Sequence, residues 1–341
     1  MLKQVAIVIL NWNGKHHLER FLPSVVEHSS DARIIVADNA STDDSLEFLS
    51  ANHPQIEIVR NAENGGFARG YNEALAQIES EFFLLLNSDV QVTKGWLDPL
   101  VKAMDDPQVA ACQPKVLSVN NPHQFEHAGA AGGFLDVNYF PFCRGRIFEL
   151  TEKDKNQYDG PMEIFWATGA CLLIRSTCFL NENGFDEDFF AHMEEIDLCW
   201  RLKRKGKKIM VAPASTVYHL GGGTLPYSSP TKTYLNFRNS LFMLTKNHPG
   251  WLFPKLLWRL TIDGMAAGLF LAKGEFRQFK AVFNAHMSFS RKLGTFLRKR
   301  KAGKISKDLY NPSGLFTGNI LWNRFGKGVT EFSKLNQRLF K

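Results

Sequence analysis

The stretch Phe82-Phe83-Leu84-Leu85-Leu86-Asn87-Ser88-Asp89-Val90 sets the frame for the rest of the chain. Five consecutive apolar residues fit a strand buried on both faces, and the run stops at an amide, a hydroxyl and a carboxylate. Upstream the same theme repeats. Residues 5–10 read as a buried strand, 16–28 as a helix and 33–38 as a second strand, with Ser41-Thr42-Asp43-Asp44 capping the next helix. Residues 55–60 form a third strand, 67–78 a helix and 81–86 the strand that opens this paragraph. Strands that are apolar throughout, alternating with helices, imply an α/β class: a mostly parallel sheet with helices on both faces. Ligands of such sheets bind beyond the carboxyl ends of the strands, so the residues that end each strand are the ones to read for function.

Downstream the pattern loosens. Residues 120–161, rich in Gly, Pro, Asn and aromatics, read as a long, partly ordered insertion. Residues 164–175 read as a strand, Asn183-Gly184 as a turn, 194–205 as a helix, and 208–212 and 216–219 as two short strands. From residue 234 onward the pattern is helical and basic. A chain of 341 residues that is 44% apolar can build one large core or two modest domains. Its net charge of +7 is unevenly spread. From Lys232 to the end there are 21 Lys+Arg and 4 Asp+Glu, a net +17, whereas the first 231 residues carry 20 against 30, a net −10. The expected division is therefore 1–231, itself split into 1–117 and 118–231, followed by 232–341. The five cysteines show no CxxC spacing, which fits buried, reduced thiols and argues against a zinc site or a disulfide framework. The apolar run at 5–10 is too short for a secretory signal. No stretch of 18 uncharged apolar residues occurs, since 251–271 carries Lys255, Arg259 and Asp263. A cytoplasmic protein is expected.

The strand ends carry the chemistry. The first strand runs into Asn11-Trp12-Asn13-Gly14 rather than GxGxxG, and no GxxxxGK[ST] occurs, which disfavours dinucleotide oxidoreductases and P-loop nucleotidases. The second ends in Asp38-Asn39, whose carboxylate either accepts hydrogen bonds from a base or ribose or caps its own turn. Gly65-Gly66 turns sharply into a helix that carries Arg69, placed either for phosphate or base oxygens or simply on the surface. Asp89, at the end of a buried strand, is well placed to hold Mg²⁺ or Mn²⁺ shared with substrate phosphates; the alternative is an N-cap for the helix near Lys94. Glu194, Glu195 and Asp197 open a helix, where acids complement the helix dipole or one of them serves as general base. His219 precedes Gly221-Gly222-Gly223-Thr224 and is either a metal or diphosphate contact or structural.

Six segments taken in order, Ile7 to Gly14, Asp38 to Asp43, Asn64 to Ala68, Leu86 to Asp89, Glu194 to Cys199 and His219 to Gly223, resemble the family 2 glycosyltransferases, especially their bacterial rhamnosyltransferase-like branch. The resemblance covers roughly residues 4–224. It implies a GT-A fold, a Rossmann-like sheet whose first half (1–117) binds nucleotide and whose second half (118–231) binds acceptor. It implies a donor site of Asn11, Asp38, Asn39, Arg69, Asn87 and Asp89, with Asn87-Ser88-Asp89 in place of the family's DxD motif. It also implies a divalent cation, Mg²⁺ or Mn²⁺, on Asp89 and His219. The base matches the second member of a Glu-Asp pair, here Glu195, with Glu194 and Asp197 as neighbours that share the role of candidates. The implied reaction is inverting transfer from a nucleoside-diphosphate sugar, UDP or dTDP linked, to a glycan or lipid-linked acceptor hydroxyl in surface polysaccharide assembly. Two rival classes are a catalytically silent nucleotide-sugar-binding module and a nucleic-acid-binding protein. The second is prompted by a pI of about 9.1 but comes with no recognised binding motif, and nucleic acid is not an expected partner.

Beyond residue 231 the resemblance thins, although Tyr234-Leu235-Asn236-Phe237-Arg238-Asn239 still fits the family. Lys255, Arg259 and Asp263 form one polar stripe on an otherwise apolar helix. The broad apolar face requires burial against the chain's own domain, against a partner subunit such as a second copy, or on an anionic bilayer. Arg298-Lys299-Arg300-Lys301 suits the bilayer, at the inner face of the cytoplasmic membrane.

Overall fold

The computed structural model describes residues 5–221, 229–303 and 309–341. The first half alternates as its apolar runs demand: β1 (Val5–Asn11), α1 (Lys15–His28), β2 (Arg33–Asp38), α2 (Ser45–Asn52), β3 (Glu57–Arg60), α3 (Gly66–Leu75), β4 (Phe82–Asn87), β5 (Val90–Val92) and α4 (Leu97–Ala103). Then come β6 (Val109–Ser118), four short strands β7 (Gly133–Leu135), β8 (Pro141–Cys143), β9 (Arg146–Ile147) and β10 (Leu150–Thr151), and β11 (Met162–Ile164). They are followed by β12 (Cys171–Arg175), α5 (Ser176–Asn181), α6 (Glu194–Arg204) and β13 (Lys208–His219). The long helices α7 (Pro230–Asn247), α8 (Leu252–Ala272) and α9 (Phe276–Ala302) follow.

One sheet runs in the order β11-β13-β6-β12-β4-β1-β2-β3, with β5 paired to β13. The block β4-β1-β2-β3 is parallel, as is the β6–β13 pair. Alternate side chains of the strands feed two cores. Ala6, Val8, Phe83 and Leu85 pack with Tyr71 and Ala74 of α3, whereas Ile7, Ile9, Leu84 and Leu86 pack with Leu18 and Leu22 of α1 and Leu100 of α4. The two-sided burial read from residues 82–86 is thus real, and β1 and β4, lying side by side in register Leu10↔Asn87, bring Asn11 and Asn87 to the same sheet edge.

Four local expectations change. The segment 164–175 is not one strand: β11 pairs with β13 and β12 lies between β4 and β6, with residues 165–170 turning the chain between them. The short strands 208–212 and 216–219 are one strand, β13, whose register against β6 shifts between Ala212 and Thr216. Pro213, lacking an N–H, sits inside that bulge. The segment 120–161 is more ordered than its composition indicates, because β7–β10 form an antiparallel meander in the order β10-β9-β8-β7. Finally, 309–341 is not regular helix. It returns across the expected boundary at 231 and packs on the meander, Leu315 bridging to Leu135 and the Ile320 N–H donating to Asp136 at 3.0 Å. Phe316, Phe332 and Phe340 join Phe134 and Phe142 in an aromatic nest, with Phe316 and Phe340 centroids 4.8 Å apart. Each such pair contributes roughly 0.5–1.5 kcal/mol beyond area burial. The alternation of helix and strand signals could not reveal this, because the nest assembles from residues some 200 positions apart (Phe134 with Phe340).

The helical region is fastened to the sheet by one buried carboxylate. Asp197 of α6 has no solvent exposure. Its Oδ2 accepts from Lys246 of α7 at 2.8 Å and from Arg201 at 2.8 Å, and its Oδ1 accepts from Asn247 at 2.7 Å. Burial works against its charge, but Lys246 and Arg201 outweigh it and bring the carboxyl down to about 2. Because the folded value lies below the ordinary 3.8, this stabilisation is complete above the ordinary value and fades as pH falls toward 2. Asp197→Asn is expected to lower stability at pH 7 by about 1.5–3 kcal/mol, since Lys246 and Arg201 lose a charged acceptor but keep Asp186 and Glu182, and to flatten acid unfolding between those two values. Denaturant melts of both proteins across pH check this.

Candidate active site

The carboxyl ends of β1, β2 and β4 meet where the two cores are capped by polar groups. Asn11 and Asp38 are both buried; Asn11 Nδ2 donates to Ser41 Oγ at 3.1 Å and to Asp38 Oδ1 at 3.4 Å, and the Ser41 N–H donates to Asp38 Oδ2 at 3.1 Å. Asp38 is therefore a turn cap within reach of whatever lies against Asn11, whose Oδ1 has no hydrogen-bond partner. Asn39 points elsewhere. Its Nδ2 donates to Asn64 Oδ1 at 2.9 Å and to the Gly66 carbonyl at 3.0 Å, and its Oδ1 accepts from Asn61 at 3.1 Å, so it fastens the Gly65-Gly66 turn. Arg69 is half-exposed and held between Glu63 and Glu73 at 2.5 and 2.6 Å. Such exposed pairs are screened by solvent, contribute little and release readily to a better anion.

Asp89 follows the last residue of β4 by two positions. The β5 strand begins immediately after it and pairs antiparallel with the end of β13, Val90 opposite His219. This pairing brings together residues 130 positions apart: His219 Nε2 lies 3.1 Å from Asp89 Oδ1 and 3.4 Å from Asn87 Nδ2. The other ring nitrogen, Nδ1, lies 3.0 Å from Glu126 Oε2. Burial disfavours the charged ring, but the two carboxylates outweigh it and raise His219 to about 10. For Asp89 burial is likewise the largest effect, and the facing His219 charge and hydrogen bond reverse it, leaving the carboxyl below its ordinary value. Asp89 therefore offers a carboxylate oxygen at once, and His219 would offer an imidazole nitrogen at the same point only after a cation displaces its Nε2 proton. Among the described residues no group of three or more His, Cys, Asp or Glu forms a complete cage. The donor set fits a cation whose remaining positions are filled by substrate phosphate and water, as is usual for Mg²⁺ and Mn²⁺. Glu126 holds the imidazole from behind, the orientation device common to metal-binding histidines. Gly222, Gly223 and Thr224 of the glycine run lie outside the described residues.

Across the turn 168–170 stands the acid cluster. The Asn87 N–H donates to the Ala170 carbonyl at 3.0 Å, and a Cβ on Gly169 would lie 3.9 Å from Glu195 Cβ and 3.1 Å from Phe67 Cζ. The turn therefore separates Asn87 from Glu195 by the thickness of one backbone. Glu194 and Glu195 each present a buried Oε2 with no hydrogen-bond partner. Burial lifts Glu195 to about 7, backbone N–H groups offsetting part of the effect. Glu194 is lifted well above its ordinary value by burial and then by the charge of Glu195. Asp197, the third acid, has both oxygens committed to Lys246, Arg201 and Asn247 and is held below its usual range, which leaves it nothing to offer a substrate proton.

The approach to this cluster is strained. Phe190, His192 and Met193 all have φ near +70°, a conformation that side chains other than glycine rarely adopt. Two polar side chains of α7 hold it in place. Asn239 Nδ2 donates to the carbonyls of Phe189, Ala191 and His192 at 2.9, 2.8 and 2.7 Å, and Arg238 donates to those of Phe189 and Asp188 at 2.9 and 3.3 Å. The Phe190 carbonyl in turn accepts from the N–H groups of Phe67 and Ala68 at 2.8 and 3.1 Å. Any Cβ on Gly66 would collide with Phe190, which is why the turn needs glycine there. Sequence reading missed Glu126, Arg238 and Asn239 as site residues. Arg238 and Asn239 had a signal, since they lie in the segment Tyr234 to Asn239 that still fits the family; Glu126, in a segment with no periodicity, had none.

The model for glycosyl transferase family 2 matches residues 6–175. The chain belongs to glycosyl transferase family 2. It is similar to an N-acetylglucosaminyl-diphospho-decaprenol L-rhamnosyltransferase of Mycobacterium tuberculosis, 24% identical over 276 residues that cover 76% of this chain and 90% of that protein. Among solved structures it is similar to GalNAc-T7 crystallised with UDP, GalNAc and Mn²⁺, at 18% identity and a TM-score of 0.56 over 72% of this chain and 48% of that one. It is also similar to residues 1–349 of S. aureus TarS, at 15% identity and a TM-score of 0.54 over 96% of this chain and 92% of that one. At these identities the structural likeness speaks for the fold alone, and the fold is GT-A. The family 2 glycosyltransferase described here therefore has the α/β class read from its strands.

The carbonyl clamp makes a specific demand on the family 2 enzyme. Asn239→Ala is expected to leave nucleotide-dependent thermal stabilisation unchanged while turnover falls about a hundredfold, the usual cost of misplacing a catalytic group by an ångström. Steady-state kinetics beside a nucleotide thermal-shift titration tests both halves.

Proposed function

We propose that this family 2 glycosyltransferase moves a sugar from a nucleoside diphosphate, UDP or dTDP, to an acceptor hydroxyl with inversion at the anomeric carbon. The observation that carries the proposal is the pairing of two unlike acid sites across the 168–170 turn: Asp89 held ionised beside His219, and Glu195 lifted to about 7. Enzymes separate donor and acid/base chemistry by environment in this way.

In this reading 1–117 binds nucleotide and 118–231 binds acceptor. Asn11 and Asp38 receive the base, Asn39 holds the Gly65-Gly66 turn that frames it, and Arg69 exchanges a glutamate for phosphate oxygen. Asn87 faces the ribose. Asp89, with His219 once its Nε2 proton is displaced, would hold the divalent cation, Mg²⁺ or Mn²⁺, which would supply neutralisation of charge on the departing diphosphate. Glu195 Oε2 accepts the acceptor's proton as its oxygen bonds to the anomeric carbon and the carbon–diphosphate bond breaks on the opposite face. Glu194 remains protonated and keeps a second negative charge out of the pocket. Asp197 and its lysine and arginine fix the helix that carries the base. A saccharide linked to a polyprenyl diphosphate is the acceptor we favour, supported by the mycobacterial relative's named substrate and by its coverage of this chain.

Three results follow. Asp89→Asn is expected to abolish transfer and the metal-dependent part of nucleotide stabilisation, read by thermal shift with UDP, GDP, dTDP and CDP in Mn²⁺, Mg²⁺ or EDTA. Turnover with saturating donor should rise with pH around 7 and level off above it, as Glu195 loses its proton. The folded Glu195 value lies above the ordinary 4.5, so the stability this group contributes is complete below the ordinary value and is lost as pH rises through about 7. Glu195→Gln should therefore be inactive yet melt higher than the parent at pH 8; retained turnover with no change in melting would assign the base elsewhere.

A further inference from the structure

Helix α8 is amphipathic in the inverted sense. Its polar stripe faces the protein. Lys255 Nζ donates to the Val137 carbonyl and to Asn138 Oδ1 at 2.6 and 3.1 Å. Arg259 is buried, pairs with buried Asp263 at 2.9 Å and lies 3.8 Å over the Phe140 ring. The outward positions, spaced three and four apart, are Phe253, Leu257, Trp258, Met265 and Leu269, together with small residues, and none of the exposed residues of the helix is charged. Phe253 is 76% exposed and Leu269 64%, and Trp251 at the helix start is 88% exposed. A Cβ on Gly264 or Gly268 would meet nothing within 4 Å, so among the described residues nothing covers this face there. Burial against the chain's own domain, one of the three alternatives raised by the sequence, takes in Leu256, Ile262 and Ala267 but not this outward face.

The antiparallel neighbour α9 continues the surface with exposed Phe276, Phe283 and Met287. Around it lie exposed Lys273, Arg277, Lys280, Arg291, Arg298 and Lys301. Between residues 251 and 303 the acids are Asp263, which is buried, and Glu275. The inner basic residues of α9 are occupied differently: Lys292 and Lys299 pair with Asp188 at 2.6 and 2.7 Å, next to the strained loop that leads to Glu194.

We propose that the exposed face of the α8–α9 hairpin is a membrane-docking surface, laid flat on an anionic lipid bilayer. The occupant follows from chemistry. Apolar side chains including two tryptophans near the start of α8, flanked by cations of one sign, match the boundary between acyl chains and acidic headgroups. A second copy docked about a two-fold axis would set those cations against their own equivalents. Crossing the bilayer is not available: among the described residues no helix is long and apolar enough to span it, and α8 would carry Arg259 and Asp263 into hydrocarbon. Docking in this way sets the loop before Glu194, held by α9, close to a lipid surface.

The test is sedimentation of the full chain with vesicles of phosphatidylcholine alone or with phosphatidylglycerol added. The wild type is expected to bind the anionic vesicles and to release as salt is raised. The double variant Trp258→Glu/Leu269→Glu is expected to lose about tenfold or more of that partitioning, and Arg277→Glu/Lys280→Glu to lose the preference for anionic lipid. Both carry changes at exposed positions, so melting temperature and nucleotide stabilisation measured on the same samples should match the wild type. That match keeps this proposal separable from the transferase reading. Absence of vesicle binding by the wild type, or equal binding by Trp258→Glu/Leu269→Glu, overturns the proposal. So does a dimer, seen by sedimentation velocity, that the same variant dissociates while no vesicle binding is found.

Discussion

The buried carboxylate of Asp197 is the constraint on which the rest of the arrangement depends. A charge with no solvent contact is tolerable only if its lone pairs are filled, and here Lys246, Arg201 and Asn247 fill them from two helices. That requirement fixes α7 against α6. With α7 in place, Asn239 and Arg238 reach the carbonyls of 188–192, and with α9 packed on α7, Lys292 and Lys299 reach Asp188. The strained entry to α6 is therefore held from outside the sheet, with the unpartnered Oε2 atoms of Glu194 and Glu195 buried behind it and Glu195 beside the turn at 168–170. Part of the basic excess of the C-terminal region is thus internal wiring. Of what remains, Lys273, Arg277, Lys280, Arg291, Arg298 and Lys301 face solvent on the α8–α9 hairpin, and Lys327, Lys334, Arg338 and Lys341 are exposed on 309–341.

The two halves of the site obey opposite electrostatic logic. Near Asp89 an opposite charge stands within hydrogen-bond distance, and it overrides burial to keep the carboxylate ionised. Near Glu195 burial is the dominant effect and the nearest neighbour, Glu194, is another acid, so both are pushed toward the neutral form. Two carboxylates of nearly equal intrinsic acidity are driven toward opposite protonation states through surroundings alone, which suits them to the two roles proposed for them. The surroundings come from topology: β5 pairing with β13 delivers His219 to Asp89, while among the described residues no cation pairs with Glu195.

Much of this was legible in the chain. The strands at 5–10, 33–38 and 81–86 and the acids that follow them were readable because a parallel sheet buries both faces of a strand, leaving an apolar run with a polar stop. The pair at 194–195 was readable because three acids opening a helix is an unusual density. Equally legible was the polar stripe Lys255, Arg259 and Asp263. Its direction was not: the stripe turned inward because Asn138 and Phe140, in a segment without periodicity, supply the acceptors and the ring that satisfy it.

The sequence by itself determined the class of fold and the strand ends at which polar chemistry collects, because hydrophobic periodicity and local turn chemistry act over a few residues. Only the tertiary structure decided which of those polar groups meet. The His219–Asp89 contact, the Glu126 support behind it, the commitment of Asp197 to Lys246 and the return of 309–341 onto the meander all join residues more than 45 positions apart. Long-range contacts of this kind are selected by the packing of whole elements, and no local pattern encodes them. The same reason explains why an apolar helix face was visible in the sequence, while its exposure became visible only once every other element had found its place.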